Sequence, residues 1–155
     1  MPVSDNSIDF IAYDPEGAVV LLAEAKSRRG TSAGWAAKFR RNMLAHGLLP
    51  KSKYFLIATP EQMYGGKQEN LSANEVPPQF TVDSRKALAG YFAKLRQEPG
   101  NIGPEAFELL FLTWLKDVAA SADCSDEVDP ALKSLFESGL LSSLRHAQIE
   151  MNPAA

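Results

Sequence analysis

Two apolar runs, residues 8–13 and 18–25, stand either side of Asp14-Pro15-Glu16-Gly17. That tetrapeptide carries turn chemistry: Asp accepts hydrogen bonds from nearby backbone, Pro presets φ, and Gly takes φ above zero. The flanks are apolar and rich in aliphatic residues, so the segment predicts a β-hairpin. Side chains alternate along a strand. Phe10, Ala12, Val19, Leu21 and Ala23 then share one face, and Ile11, Tyr13, Val20 and Leu22 the other. A hairpin apolar on both faces needs cover on both, which places it at the centre of an α/β sandwich.

If the turn pairs Tyr13 with Ala18, Ile11 meets Val20 and Asp9 meets Leu22. Glu24 then lies diagonal to Asp9, with Lys26 on the same face. Three charges on a central strand pair are costly unless they serve each other or a ligand. Two close carboxylates repel unless a cation sits between them. Such oxygen ligands suit Mg²⁺ or Mn²⁺. A lysine beside them can orient an attacking water or stabilise charge developing on phosphorus. The set fits metal-assisted phosphodiester hydrolysis. The competing reading is a surface pair at a strand end, with Asp9 opening its strand.

Asp9, a hairpin, then Glu24-Ala25-Lys26 resembles the PD-(D/E)XK nuclease superfamily, which includes restriction endonucleases and Holliday-junction resolvases. The resemblance covers about 20 residues of motif, and the order of elements matches to about residue 60. It implies a restriction-endonuclease-like core with catalytic Asp9, Glu24 and Lys26, and a Mg²⁺ (or Mn²⁺) ion held by Asp9 and Glu24. Ile8 stands where the family often has Pro. Seven residues precede Ile8, too few for the helix that members usually carry before the first strand.

The charge distribution points the same way. The chain has a net charge of −3, yet residues 25–60 hold eight of its 16 basic residues and none of its 19 acids. That block is +8, and the rest of the chain, with eight bases against 19 acids, is −11. Basic clusters are the electrostatic footprint of phosphate-backbone binding, though a solvated helix face looks similar. Arg28, Arg29, Lys38 and Arg41 are the expected nucleic-acid contacts. Thr31 or Ser32 caps a helix carrying Trp35, Phe39 and Met43, from which Lys38, Arg40 and Arg41 are expected to turn away. Gly47 ends it, with His46 as a cap residue. Trp35 reads as core before it reads as a base-stacking platform.

Residues 53–59 are apolar throughout and predict a buried third strand, parallel to the Glu24 strand because a crossover helix separates them. Residues 61–78 read as a long loop from which Tyr64 or Lys67 reaches substrate. Residues 79–82 predict a short edge strand. From Asp83 onward the pattern is helical: one helix capped by Asp83 or Ser84, one opened by Pro104, and one opened by Asp129-Pro130 and running to Leu144. Phe111 and Trp114 are expected in the core, with a homodimer through these helices as the alternative. The acids of 123–129 read as a solvated loop, and residues 152–155 as a frayed end.

The 155 residues suffice for a single domain, with a nuclease-like α/β core over 1–82 and C-terminal helices over 83–150. The expected fold is α/β: a mixed sheet of three or four strands flanked by helices, with a C-terminal helical layer. A lone cysteine, Cys124, forms no internal disulfide. No secretory signal or membrane-length apolar run is visible, so a cytoplasmic protein is expected, with no membrane partner. The expected function is a divalent-metal-dependent nuclease acting on DNA. The alternatives are a catalytically inactive nuclease-fold binding or assembly protein, and a small-molecule hydrolase using the same metal pair.

Overall fold

The hairpin forms where the turn chemistry places it. In the computed structural model, which describes residues 8–47, 49–68, 72–121 and 130–151, β1 (Phe10–Tyr13) runs antiparallel to β2 (Val19–Ala25). Asp14 Oδ1 accepts from the N–H groups of Glu16 and Ala18 at 2.9 and 2.8 Å, and Gly17 takes φ +88°. The register differs from the expected one. Phe10 faces Ala23, Ile11 faces Leu22 and Ala12 faces Leu21, but Tyr13 faces Val19. Val20 is therefore an extra residue, a β-bulge. It sends Val20 and Leu21 into the same core and turns Val19 to the other face, the reverse of simple alternation. The slip is two residues, so Asp9 keeps the expected face and comes level with Glu24 instead of Leu22.

After β2, helix α1 (Ala33–Ala45) crosses over one face and returns the chain to β3 (Tyr54–Ala58), parallel to β2. Ser32 caps α1, its side chain accepting from the Trp35 N–H at 3.1 Å. His46 is the C-cap, as expected. The expected loop over 61–78 is corrected: its first part is a strand, β4 (Gln62–Lys67). Thr59 turns β3 into β4, its N–H donating to the Gln62 carbonyl at 2.7 Å and its Oγ1 accepting from the Gln62 N–H at 3.0 Å. At Gly65 a Cβ would lie 2.8 Å from Phe80 and 2.9 Å from the Phe55 carbonyl, so the glycine permits the close approach of β5 (Phe80–Asp83).

The sheet has six strands in the order β5-β4-β3-β2-β1-β6, where β6 (Gln148–Met151) pairs antiparallel with β1. The expected three or four strands are too few, and the chain after residue 83 is not purely helical. It forms α2 (Ser84–Ala87), α3 (Ala89–Leu95), α4 (Pro104–Ala120), α5 (Lys133–Glu137) and α6 (Leu140–Leu144) before the last strand. The single helix expected from Pro130 is broken: a 3-10 turn at Pro130–Leu132 precedes α5, and Gly139 at φ +87° separates α5 from α6. A Cβ on Gly139 would lie 2.8 Å from Tyr54 Oη, which donates to the Ser138 carbonyl at 2.7 Å.

Two cores cover the two faces, giving an α/β architecture with helices on both sides of a mixed sheet. Under α1, Ile8, Leu22, Met43, Phe55, Ile57 and Tyr64 cluster. On the opposite face Phe10, Leu21, Leu56, Phe107, Phe111 and Trp114 belong to the larger core, so Phe111 and Trp114 are core residues, as expected. Phe10 lies 5.8 Å from Phe111, centroid to centroid. Among the described residues no helix is long and apolar enough to cross a membrane. Cys124, the acidic loop at 123–129 and the tail at 152–155 lie outside the described residues.

Candidate metal and phosphate site

The bulge and the parallel crossover bring Asp9, Glu24 and Lys26 together at one end of the central strands. The Asp9 N–H donates to Glu24 Oε2 at 2.5 Å, and Asp9 Oδ2 accepts from the Ala25 N–H at 3.0 Å. Lys26 is held there because its N–H donates to the Ala58 carbonyl at 2.9 Å, continuing the β2–β3 ladder. Its Nζ lies 3.3 Å from Glu24 Oε1 and 3.9 Å from Asp9 Oδ2. It also sits 5.8 Å from the centre of the Phe39 ring. The carboxylates are deep: Asp9 is 5% exposed and Glu24 0%, while the lysine side chain remains 25% exposed. One charged group therefore faces solvent and two do not.

Burial governs the electrostatics of the pair. It pushes the Glu24 carboxyl up to about 8, reinforced by the Asp9 charge and opposed by Lys26 and by the hydrogen bond from Asp9. Burial also raises Asp9, against the pull of the Ala25 N–H and Lys26. Glu24 Oε1 is buried, and the group that faces it is the Lys26 ammonium, 3.3 Å away. Two buried carboxyls share that one ammonium, and a divalent cation would relieve the imbalance. The donor set, two hard carboxylates, fits Mg²⁺ or Mn²⁺, whose remaining ligands are ordinarily water and phosphate oxygens. Among the described residues no cluster of three or more Asp, Glu, His or Cys side chains of metal-binding geometry occurs.

The basic residues divide. Arg28 lies 5.9 Å from the Trp35 ring centre, beside the Lys26 loop. Arg29 is exposed in the same loop, which is tied down by the Gly30 N–H donating to Glu61 Oε1 at 2.9 Å. Lys38 is exposed, and the buried face of α1 is formed by Ala36, Ala37 and Met43. Arg41 is engaged elsewhere, Nη1 donating to Glu75 Oε2 at 2.7 Å. Arg40 corrects the expectation that it turns outward: it is half-buried, with Nε donating to Gln68 Oε1 at 2.8 Å. Trp35 is half-buried between Phe39 and Tyr64 at 5.5 and 6.2 Å. Tyr64 is buried, its hydroxyl sharing a 2.8 Å hydrogen bond with Thr31 Oγ1.

A third acid couples electrostatically to the pair from outside the motif. Glu108, on the second turn of α4, is half-buried, and its carboxyl is raised by burial and then by the Asp9 charge, with Lys26 pulling it down. It thus shares the electrostatic field of the pair. The start of α4 is fastened to the site loop by Ser27 Oγ, which donates to the Ile102 carbonyl at 2.7 Å. Linear sequence holds no signal for this proximity except an acid in the opening turns of an amphipathic helix. No protein-family model, curated protein or solved structure matches the chain.

Proposed function

We propose that this chain is a divalent-metal-dependent nuclease with a restriction-endonuclease-like core of PD-(D/E)XK type, and that its substrate is DNA. The observation that carries the reading is the buried Asp9–Glu24 pair, two carboxyls held side by side by backbone N–H groups and facing a lysine that reaches solvent. Asp9 and Glu24 would hold Mg²⁺ or Mn²⁺, which supplies Lewis acidity and lowers the pKa of bound water. Lys26, 3.3 Å from Glu24, is placed to hold an attacking water or to stabilise charge on the phosphate. The Phe39 ring, its centre 5.8 Å from the ammonium, adds a cation–π contact. Arg28 and Arg29 stand beside this loop to receive a phosphate backbone, with Lys38 on the outward face of α1.

The test is cleavage of single-stranded, duplex and branched DNA, and of RNA, with Mg²⁺ and with Mn²⁺. Activity lost in Asp9→Asn and reduced about 10²- to 10³-fold in Lys26→Ala supports the reading. One observation favours a second reading, a nuclease-fold binding or assembly protein without catalysis: Lys26 already partly neutralises both carboxylates without a metal. Salt-dependent nucleic-acid binding, with no cleavage under either metal, is the outcome that selects it.

A further inference from the structure

Two cations lie over two aromatic rings beside the carboxylates. The Lys26 ammonium stands 5.8 Å from the Phe39 ring centre, and the Arg28 guanidinium 5.9 Å from that of Trp35. The two rings are neighbours at 5.5 Å, one turn apart on α1, and Tyr64 continues the row at 6.2 Å from Trp35. A cation laid on a ring is also a way to seal the rim of a core. Trp35 is not sealed. Leu22, Phe55 and Ile57 belong to the buried part of this core, whereas Trp35 and Phe39 pack against it and stay half-buried. The Trp35 indole N–H meets no acceptor among the described residues and is not itself buried, so that edge of the ring reaches solvent. Arg28 is exposed and makes no ion pair among the described residues, so no acid neutralises the charge above the ring.

Every base has a π-face, and a strand carries a negative charge beside each base. Aromatic side chains flanked by cations therefore hold single strands with little regard to sequence. A duplex keeps its base faces stacked on one another, out of reach of an indole. The position of Trp35 ties this chemistry to the carboxylates. Contacts of 5.5 and 5.8 Å through Phe39 link the indole to the Lys26 ammonium, so a base on Trp35 sets a neighbouring phosphate near Asp9 and Glu24. We infer that Trp35 stacks an unpaired base and Arg28 takes a flanking phosphate, so that nucleic acid meets Asp9, Glu24 and Lys26 as a single or locally unpaired strand. This names the substrate class for the phosphodiester reading of those three residues and rests on that reading.

The test compares a short thymidine oligonucleotide with the same sugar–phosphate chain lacking bases, each binding the whole protein without divalent metal so that neither is cut. The two carry equal charge, so the ratio of their affinities separates stacking from phosphate contact. The oligonucleotide is expected to bind about five- to 150-fold more tightly. Trp35→Leu, which keeps an apolar side chain against the core, is expected to bring the ratio to about one. Intrinsic fluorescence gives a second readout that needs no variant. The other tryptophan, Trp114, is 3% exposed, so quenching by thymine reports Trp35. Quenching by the oligonucleotide and not by the base-free chain is expected. Failure of both chains to bind overturns the inference, as does a ratio near one in wild type, a ratio undiminished in folded Trp35→Leu, or binding without quenching. Where DNA is still cleaved under any of those outcomes, the nuclease reading stands without the stacking site. A high ratio that depends on Trp35, with no cleavage under either metal, upholds the stacking site and selects the non-catalytic reading.

Discussion

The main-chain N–H of Asp9 donates to Glu24 Oε2 at 2.5 Å across fifteen positions of sequence, so the two acids are fixed side by side before any ligand arrives. Asp9 in turn accepts from the Ala25 N–H. Each carboxylate is thus oriented by the backbone of the opposite strand, and the pair is as rigid as the hairpin. That rigidity confines two ionisable groups in a place that water barely reaches.

Stability should therefore depend on pH in an unusual direction. Glu24 titrates at about 8 in the fold against an ordinary 4.5, so the folded chain binds that proton more tightly than the unfolded chain. The contribution is fully present below pH 4.5 and is lost as pH rises through about 8. Asp9, also raised, acts in the same sense. Urea unfolding at pH 5 and pH 8.5 without metal should show wild type losing stability across the interval while Glu24→Gln changes much less. Parallel losses in the two proteins would refute the assignment.

Metal binding should release a proton near neutrality. At pH 7 Glu24 carries a proton that a cation must displace. Calorimetry of Mn²⁺ binding in buffers of different ionisation enthalpy should show close to one proton released per ion at pH 7 and almost none at pH 9. Saturating metal, at about 100 times Kd, should stabilise the fold by about 2.7 kcal/mol. Asp9→Asn should lose both effects, and metal binding that is the same in that variant would place the ion elsewhere.

Glu108 should tune this affinity without being needed for folding. Its charge acts on Asp9 and Lys26 from a partly solvated helix position. Removing one negative charge at that range should weaken Mn²⁺ binding by roughly three- to tenfold. Glu108→Gln measured by the same calorimetry gives the answer. An unaltered affinity means that the coupling is too weak to matter.

The four expected phosphate contacts should not weigh equally. Arg28 stands beside the site loop, whereas Arg41 already donates to Glu75. In an Asp9→Asn background, Arg28→Gln should lower the slope of log affinity for DNA against log salt by about one. Arg41→Gln should leave that slope nearly unchanged and cost about 0–1 kcal/mol of stability, as exposed ion pairs do. Equal effects of the two substitutions on the slope would show that both arginines face the nucleic acid.

Local chemistry was the legible part of this fold. Asp14-Pro15-Glu16-Gly17 announced its turn, Ser32 and Pro104 their helix starts, and the apolar run around Phe55 its buried strand. What escaped depended on partners distant in sequence. The Val20 bulge answers to packing on both faces of β2 and has no mark in the run Val19-Val20-Leu21. β4 contains Gly65-Gly66, a pair that ordinarily signals a loop, and is a strand because Phe80 must lie against Gly65. β6 has one half-buried apolar residue, Ile149, and its other three are exposed, so it carries little strand signal of its own. The Asp9, Glu24 and Lys26 set was readable because strand alternation survives a two-residue slip. Glu108 and the Arg40–Gln68 contact were not, because only the packing of α4 and β4 brings them into place.

Asp9 immediately precedes β1, which is paired on one side with β2 and on the other with β6, so Phe10 meets both Ala23 and Met151. The first partner is a hairpin neighbour; the second comes from the far end of the described chain. Closing so long a loop is entropically slow compared with zipping a hairpin. During synthesis, β1 and β2 can form while the outer edge of β1 still has no ladder, and an apolar unpaired edge invites other chains. Removal of residues 148–151 should therefore appear first as aggregation of the nascent or refolding chain, and only secondarily as lost chemistry at Asp9.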